Sequence, residues 1–238
     1  MYAIAHRGYS SHYPENTQLA FRQAILAGAD FVETDLRLSR EGVIVCSHDP
    51  DLVRLLGRKE RIENLDISEL KAVDTGDGKG IPLFEEVLNL AAGRAGVFLD
   101  VKITTDDMTA LILDVLLRHP SNRNVVFGAR RLEQLEALRR RDTDLAVIGM
   151  IRDFMEVPRY LALGVRGIRI WEEDLTGDQV QTVHAAGCEV WVTAGLRSRG
   201  ESAGSIDRER LQHLMNLGID AVLVNDPAMV VSERGQKK

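Results

Sequence analysis

Four times along this 238-residue chain a glycine closes an amphipathic stretch just before an apolar, β-rich run begins. The junctions are Gly28-Ala29-Asp30-Phe31, Gly164-Val165-Arg166-Gly167, Gly187-Cys188-Glu189-Val190 and Gly218-Ile219-Asp220-Ala221. Glycine tolerates the left-handed backbone position that ends a helix, and a step of this length suits a helix-to-strand connection. Repeated units of this kind argue for a parallel sheet covered by helices. The chain length admits one α/β barrel or two small domains.

Strands are expected at 2–5, 31–36, 43–47, 96–101, 124–127, 145–150, 167–171, 189–193 and 221–224, with amphipathic helices between most of them. The helical stripes are clearest over 16–27, 107–118 and 131–141, the last with an arginine-rich face that reads as solvated. That is one strand more than an eight-stranded barrel needs. The link Ser39-Arg40-Glu41-Gly42 is too short for a crossover helix, so the strands flanking it are expected to form a hairpin. Residues 53–82, with Gly57, Gly76, Gly78, Gly80 and Pro82, are expected as an irregular loop region within one domain over 1–231. The polar tail 232–238 is expected to fray.

The formal net charge of −6 makes nucleic acid an unlikely partner, while leaving room for a small anionic substrate in a locally positive pocket. Cys46 and Cys188 lie far apart in apolar runs and read as buried free thiols. No leader-like segment and no apolar run of about 20 residues is visible, so a cytoplasmic protein without a membrane span is expected.

Polar residues gather where the apolar runs end. Glu33 and Asp35 are two apart in a strand, so they leave the same face. Two adjacent buried carboxylates need a proton or a cation, and all-oxygen ligands suit Mg²⁺ or Ca²⁺. Asp100 and Lys102 repeat that spacing after Val97-Phe98-Leu99, offering a third carboxylate and a cation for an anionic group. His6 ends the first apolar run and His48 another, and two histidines beside a cation suit paired acid and base work near neutral pH. Arg7 adds a guanidinium fork matched to phosphate, and Gly8 permits an unusual turn.

These residues resemble the glycerophosphodiester phosphodiesterase family. The resemblance runs through His6-Arg7-Gly8, Pro14-Glu15-Asn16-Thr17, Gly28-Ala29-Asp30, Val32-Glu33-Thr34-Asp35-Leu36 and His48-Asp49-Pro50. It continues through Arg54, Ile81-Pro82-Leu83, Glu86-Val87-Leu88 and Asp100-Val101-Lys102. It implies a single-domain (β/α)₈ TIM barrel that hydrolyses glycerophosphodiesters to glycerol 3-phosphate and an alcohol with one divalent cation. Under it Glu33, Asp35 and Asp100 match the cation ligands, and His6 and His48 the acid–base pair. Arg7 and Lys102 match phosphate contacts, and Trp191 matches a late-strand tryptophan near the substrate. Asn16 or Thr17 is expected to cap the first helix.

Some positions depart from the family pattern. Asp100 stands where a glutamate is usual, the Ser-Phe pair of the fifth strand is absent at Val126–Ala129, and Ala194 stands near a usual asparagine. The late Thr-Asp-x-Pro reads Val224-Asn225-Asp226-Pro227, and Leu55-Leu56-Gly57-Arg58 replaces a threonine- and glycine-containing segment. These changes fall on the substrate side, leaving the leaving alcohol open. The competing readings are a phospholipase D-like hydrolase of lysophospholipids or sugar phosphodiesters, and an inactive phosphodiester-binding barrel.

Overall fold

A computed structural model describes residues 1–103, 105–119, 124–141 and 144–235. The strands are β1 (Tyr2–Ala5), β2 (Phe31–Leu38), β3 (Ile44–Cys46), β4 (Gly96–Val101), β5 (Val125–Ala129), β6 (Ala146–Met150), β7 (Gly167–Trp171), β8 (Glu189–Thr193) and β9 (Ala221–Val224). The helices are α1 (Gln18–Leu26), α2 (Val53–Leu56), α3 (Ile67–Lys71), α4 (Phe84–Ala91), α5 (Asp106–Arg118), α6 (Leu132–Arg139), α7 (Val157–Ala162), α8 (Gly177–Ala185), α9 (Arg208–Leu217) and α10 (Pro227–Gly235). Apart from β3 the strands run parallel in the order β1-β9-β8-β7-β6-β5-β4-β2, and β2 pairs back onto β1 to close a (β/α)₈ barrel. The four glycines that punctuate the sequence, Gly28, Gly164, Gly187 and Gly218, all take positive φ where a helix hands over to a strand.

The surplus strand is β3, outside the barrel. β2 overshoots the barrel and turns through Ser39–Gly42, where Gly42 N–H donates to Ser39 O at 3.0 Å. The chain returns antiparallel with Leu36 opposite Cys46 and Leu38 opposite Ile44. This hairpin carries His48 to the end of β2 instead of leaving it on a crossover.

Period-two alternation sorts every strand into two faces. One set, including Val32, Leu36, Val97, Leu99, Val190 and Val192, packs outward under the helices. The other fills the bore with Ile4, Phe31, Phe98, Val126, Ile148, Met150, Trp191, Ala221 and Leu223. Continuing that inward parity toward the carboxyl ends, the side chains become His6, Glu33, Asp35, Asp100, Lys102, Arg130, Arg169, Thr193 and Asn225. The bore is therefore apolar in its middle and polar at one mouth, the mouth where barrels of this kind do chemistry.

Two expectations need adjusting. Residues 53–82 are irregular but organised: α2 and α3 fold over a small core of Val45, Leu52, Ile62, Leu65, Leu70, Val73 and Ile81. The tail does not fray from residue 232, because α10 runs to Gly235 and Arg234 ion-pairs with Asp30 beneath β1. Residues 236–238 of that tail lie outside the described residues. No described helix is long and apolar enough to cross a membrane.

Candidate active site at the carboxyl mouth

β1 ends in a tight turn. Arg7 and Gly8 both take positive φ, +57° and +82°. A Cβ on Gly8 would lie 2.6 Å from the carbonyl carbon of Ala20 and 2.8 Å from Phe21 N, so glycine is what lets this turn rest against α1. The turn points Arg7 N–H at Glu33 Oε2, 2.9 Å away. Thr17 caps α1, its hydroxyl accepting from Ala20 N at 3.1 Å. Asn16 does something else. With φ +53° it aims inward, donating from Nδ2 to Asp35 Oδ2 at 3.0 Å and accepting from Thr34 Oγ1 at 3.1 Å.

Glu33, Asp35 and Asp100 are all buried, and each offers an oxygen within 4.8 Å of the others. Parallel pairing sets Asp35 directly beside Asp100. Burial, with the charges of Asp35 and Asp100 adding to it, pushes the Glu33 carboxyl well above the usual carboxylate range. Lys102 Nζ bridges Asp35 Oδ1 at 2.8 Å and Asp100 Oδ2 at 2.7 Å. Burial would also raise Asp100, but the Arg130 fork and the Lys102 ammonium outweigh it and hold that carboxyl far down. An all-oxygen cluster in which one carboxyl is still driven toward its proton is what a hard divalent cation would relieve. The residues present fit such an ion.

The two histidines are wired differently. His6 is buried and hydrogen-bonds through Nδ1 to Asn225 Oδ1 at 2.8 Å. Asn225 Nδ2 donates to Ala203 O at 3.0 Å, so its oxygen faces the ring, Nδ1 carries the proton and Nε2 keeps its lone pair. Burial and the neighbouring Arg7 guanidinium lower His6 to about 4. His48 is half-buried and its Nδ1 lies 2.8 Å from Asp49 Oδ1. Burial lowers His48 too, opposed by Asp35 and Asp49. Arg37 fixes the backbone here, donating from Nε and Nη2 to His48 O at 3.0 and 2.6 Å.

A chain of alternating charges joins the first strand end to His48. Arg7 Nη1 reaches Glu15 Oε1 at 2.9 Å, Arg54 Nη2 reaches the same oxygen at 2.6 Å, and Arg54 Nε reaches Asp49. Arg7 Nε is also 3.2 Å from Asp35 Oδ2. The site therefore gathers His6, Arg7, Glu33, Asp35, His48, Asp100 and Lys102 at one mouth.

Trp191 is not among them. Its indole is fully buried in the bore, tilted against Phe31 and edge-on to Phe98, and its Nε1–H donates to Glu189 Oε2 at 2.8 Å. It lies on the inward face of β8 but two residues short of the mouth, where Thr193 stands with a buried hydroxyl lacking a hydrogen-bond partner. Core packing accounts for it.

Sequence reasoning passed over Arg130 and Arg169. Arg130 follows β5 directly and forks onto Asp100, with Nε 2.6 Å from Oδ1. Arg169 sits inside β7 facing the bore, its Nε without a partner, and burial lowers it to about 10. The signal for both was available. Arg130 is a polar residue ending an apolar strand, and Arg169 is a charge at an inward position of Gly167-Ile168-Arg169-Ile170-Trp171.

The model of the glycerophosphoryl diester phosphodiesterase family matches residues 6–229. The chain belongs to that family. It is thereby a phosphoric diester hydrolase by descent. A glycerophosphodiester phosphodiesterase of Bacillus altitudinis is 26% identical over 99% of this chain and 98% of its own length. Among solved structures, an Oleispira antarctica phosphodiesterase in complex with the product sn-glycerol 3-phosphate superposes with TM-score 0.84 at 26% identity, covering 96% of this chain and 94% of that one. A glycerophosphodiester phosphodiesterase of Thermotoga maritima gives 0.81 at 26% identity, with 98% of each chain covered.

Proposed function

We propose that this protein hydrolyses glycerophosphodiesters to sn-glycerol 3-phosphate and an alcohol, with Glu33, Asp35 and Asp100 holding one divalent cation, Mg²⁺ or Ca²⁺. The observation that carries the proposal is the meeting, at one mouth, of three buried carboxylates with two histidines in different settings. The glycerol 3-phosphate held by the Oleispira antarctica relative supports the same substrate class. A bound cation would stabilise negative charge on the phosphoryl oxygens.

The chain's own groups divide the remaining work. Arg7 and Lys102 line the mouth with positive charge and would hold non-bridging oxygens as charge builds in the transition state. His6 keeps a lone pair on Nε2 and resists protonation, which suits the base that takes a proton from the attacking hydroxyl. That hydroxyl belongs to water or to the glycerol 2-position. His48, backed by the Asp49 carboxylate, suits the acid that protonates the departing alkoxide. The unpaired Cys46 and Cys188 fit a reducing compartment, the cytoplasm.

Phosphorus NMR on a panel of glycerophosphodiesters tests the proposal. Growth of a glycerol 3-phosphate signal that EDTA abolishes and a divalent cation restores is the expected result. Absence of product from every diester with every divalent cation would overturn it.

A further inference from the structure

We propose that the alcohol half of the substrate carries its own anionic group, a phosphate or carboxylate, held in a cationic cleft along the ends of β4, β5 and β6. The proposal rests on the hydrolase reading above and deepens it by naming the class of diester. A cleft of about 690 Å³ opens outward from the reacting centre. His48 and Lys102 form its inner wall, and Arg130, Arg131, Arg152 and Arg159 stand along it.

Arginines without an ion pair among the described residues occur elsewhere, as at Arg22, Arg94 and Arg199, but on separate segments, whereas this cleft gathers three of them on one wall. Arg40, Arg58, Arg61, Arg197, Arg208 and Arg234 each lie against a carboxylate. Among the described residues, the side chains of Arg131, Arg152 and Arg159 have no such partner. The cleft also contains Asp49, Glu133 and Glu156. Asp49 is already bound to His48 and Arg54, and Glu156 Oε2 accepts from Arg152 N at 3.2 Å. Among the described residues Glu133 and Glu156 form no ion pair there, so three guanidiniums stand against two carboxylates and the wall keeps a net positive charge. A wall with an excess of positive charge attracts an anion, and guanidiniums held by no carboxylate are free to bind it.

The position matters as much as the charge. His48 opens onto this cleft, whereas His6 is buried at the other side of the mouth beneath Asn225. With His48 protonating the departing oxygen, the departing alcohol lies in the cleft and its substituents face the three arginines. A cationic alcohol such as choline meets repulsion there. A phosphorylated polyol meets guanidinium forks suited to phosphate.

Three diesters test this: glycerophosphoinositol 4-phosphate, glycerophosphoinositol and glycerophosphocholine, which carry an anionic, a neutral and a cationic alcohol. Two readouts keep the cleft separate from catalysis: kcat/KM with the cation present, and Kd by calorimetry on EDTA-treated protein. The anionic diester is expected to exceed the choline diester by ~10-fold to ~100-fold at low ionic strength, the range for a few partly exposed charge pairs, with the margin shrinking as salt rises. The combined variant R131Q/R152Q/R159Q is expected to bring the anionic-to-neutral ratio close to one. Equal handling of the three diesters, failure of the anionic diester to bind, or a preference that survives in the triple variant would overturn the cleft. Binding preference without turnover of any diester would overturn the hydrolase reading and leave the cleft standing.

Discussion

The two ends of the barrel bore treat charge in opposite ways. At the amino end Arg166, Glu189, Asp30 and Asp220 all have partners. Arg166 forks onto Glu189 at 2.9 and 3.0 Å and lies 5.9 and 5.8 Å from the ring centroids of Tyr2 and Trp191. Glu189 also accepts from the Trp191 indole. The aspartates of two Gly-x-Asp junctions bind the start of a neighbouring strand: Asp30 accepts from Ala3 N at 2.8 Å and Asp220 from Val190 N at 2.7 Å. At the carboxyl end Glu33 is driven toward its proton, Arg169 is buried with an unpartnered Nε, and His6 is held neutral. One end satisfies its polar groups and so stabilises the barrel. The other holds a carboxyl driven toward its proton and a buried guanidinium nitrogen without a partner, as expected of a functional site.

Substitutions at the two ends should therefore separate activity from stability. The largest effect is expected at the mouth: His6→Ala should lower kcat by ~10²-fold to ~10⁴-fold, the usual scale for a general base, without lowering the melting temperature. Steady-state rates and a circular-dichroism melt check it, and retained activity would remove His6 from its role. His48→Ala should lose a similar factor on diesters of alkyl alcohols but far less on a diester whose leaving group is p-nitrophenol, which needs no protonation. An equal loss on both would deny His48 the acid's role.

At the closed end, Trp191→Ala should cost about 3–5 kcal/mol of stability, as for other large-to-alanine changes in packed cores. Turnover per folded molecule should hardly change. Urea unfolding and active-site titration read the two quantities, and a loss of activity at constant stability would return Trp191 to the substrate.

The pH response sharpens the contrast. His6 has its folded value lowered to about 4, so the unfolded chain takes up the proton first as pH falls. Its contribution is fully present above about 6.5, the unfolded value, and is lost progressively down through about 4. The shift corresponds to about 3 kcal/mol across that window. In chelated protein, His6→Gln should flatten the stability profile there, and an unchanged slope would contradict the buried neutral ring. The smallest effect is expected at Arg130. Replacing it with Met frees Asp100 Oδ1 and leaves Oδ2 with Lys102 alone, so cation affinity should rise by a few fold, on the order of 1 kcal/mol, by calorimetry. A fall would show instead that Arg130 holds Asp100 in place as a ligand.

Much of this was legible in the sequence because strand parity and junction glycines are local. Gly28, Gly164, Gly187 and Gly218 mark helix ends by themselves, and Glu33, Asp35, Asp100 and Lys102 follow from counting by two along β2 and β4. The four-residue link before Val43 already identified a hairpin. The expectation for Trp191 rests on the family resemblance, which gives no height along the bore, and its indole lies one inward step below the mouth. The roles of Arg130 and Asn16 were hidden for a different reason, although the position of Arg130 at a strand end was legible. Their importance lies in what they touch, Asp100 and Asp35, and those contacts are made across strands and loops. The gathering of arginines in the cleft was likewise invisible, since Arg131 lies on an ordinary solvated helix pattern until Arg152 and Arg159 are brought beside it.

The central claim is that the carboxyl mouth is short of one positive ion. Thermal unfolding of EDTA-treated protein with and without Mg²⁺ or Ca²⁺, beside the variants Glu33→Gln and Asp35→Asn, tests it most directly. Ligand linkage predicts a rise of about 3 kcal/mol in stability for the unaltered protein at cation concentrations 100-fold above Kd, and little or no rise in either variant. A melting temperature that no divalent cation moves, or that moves equally in all three proteins, would contradict the account.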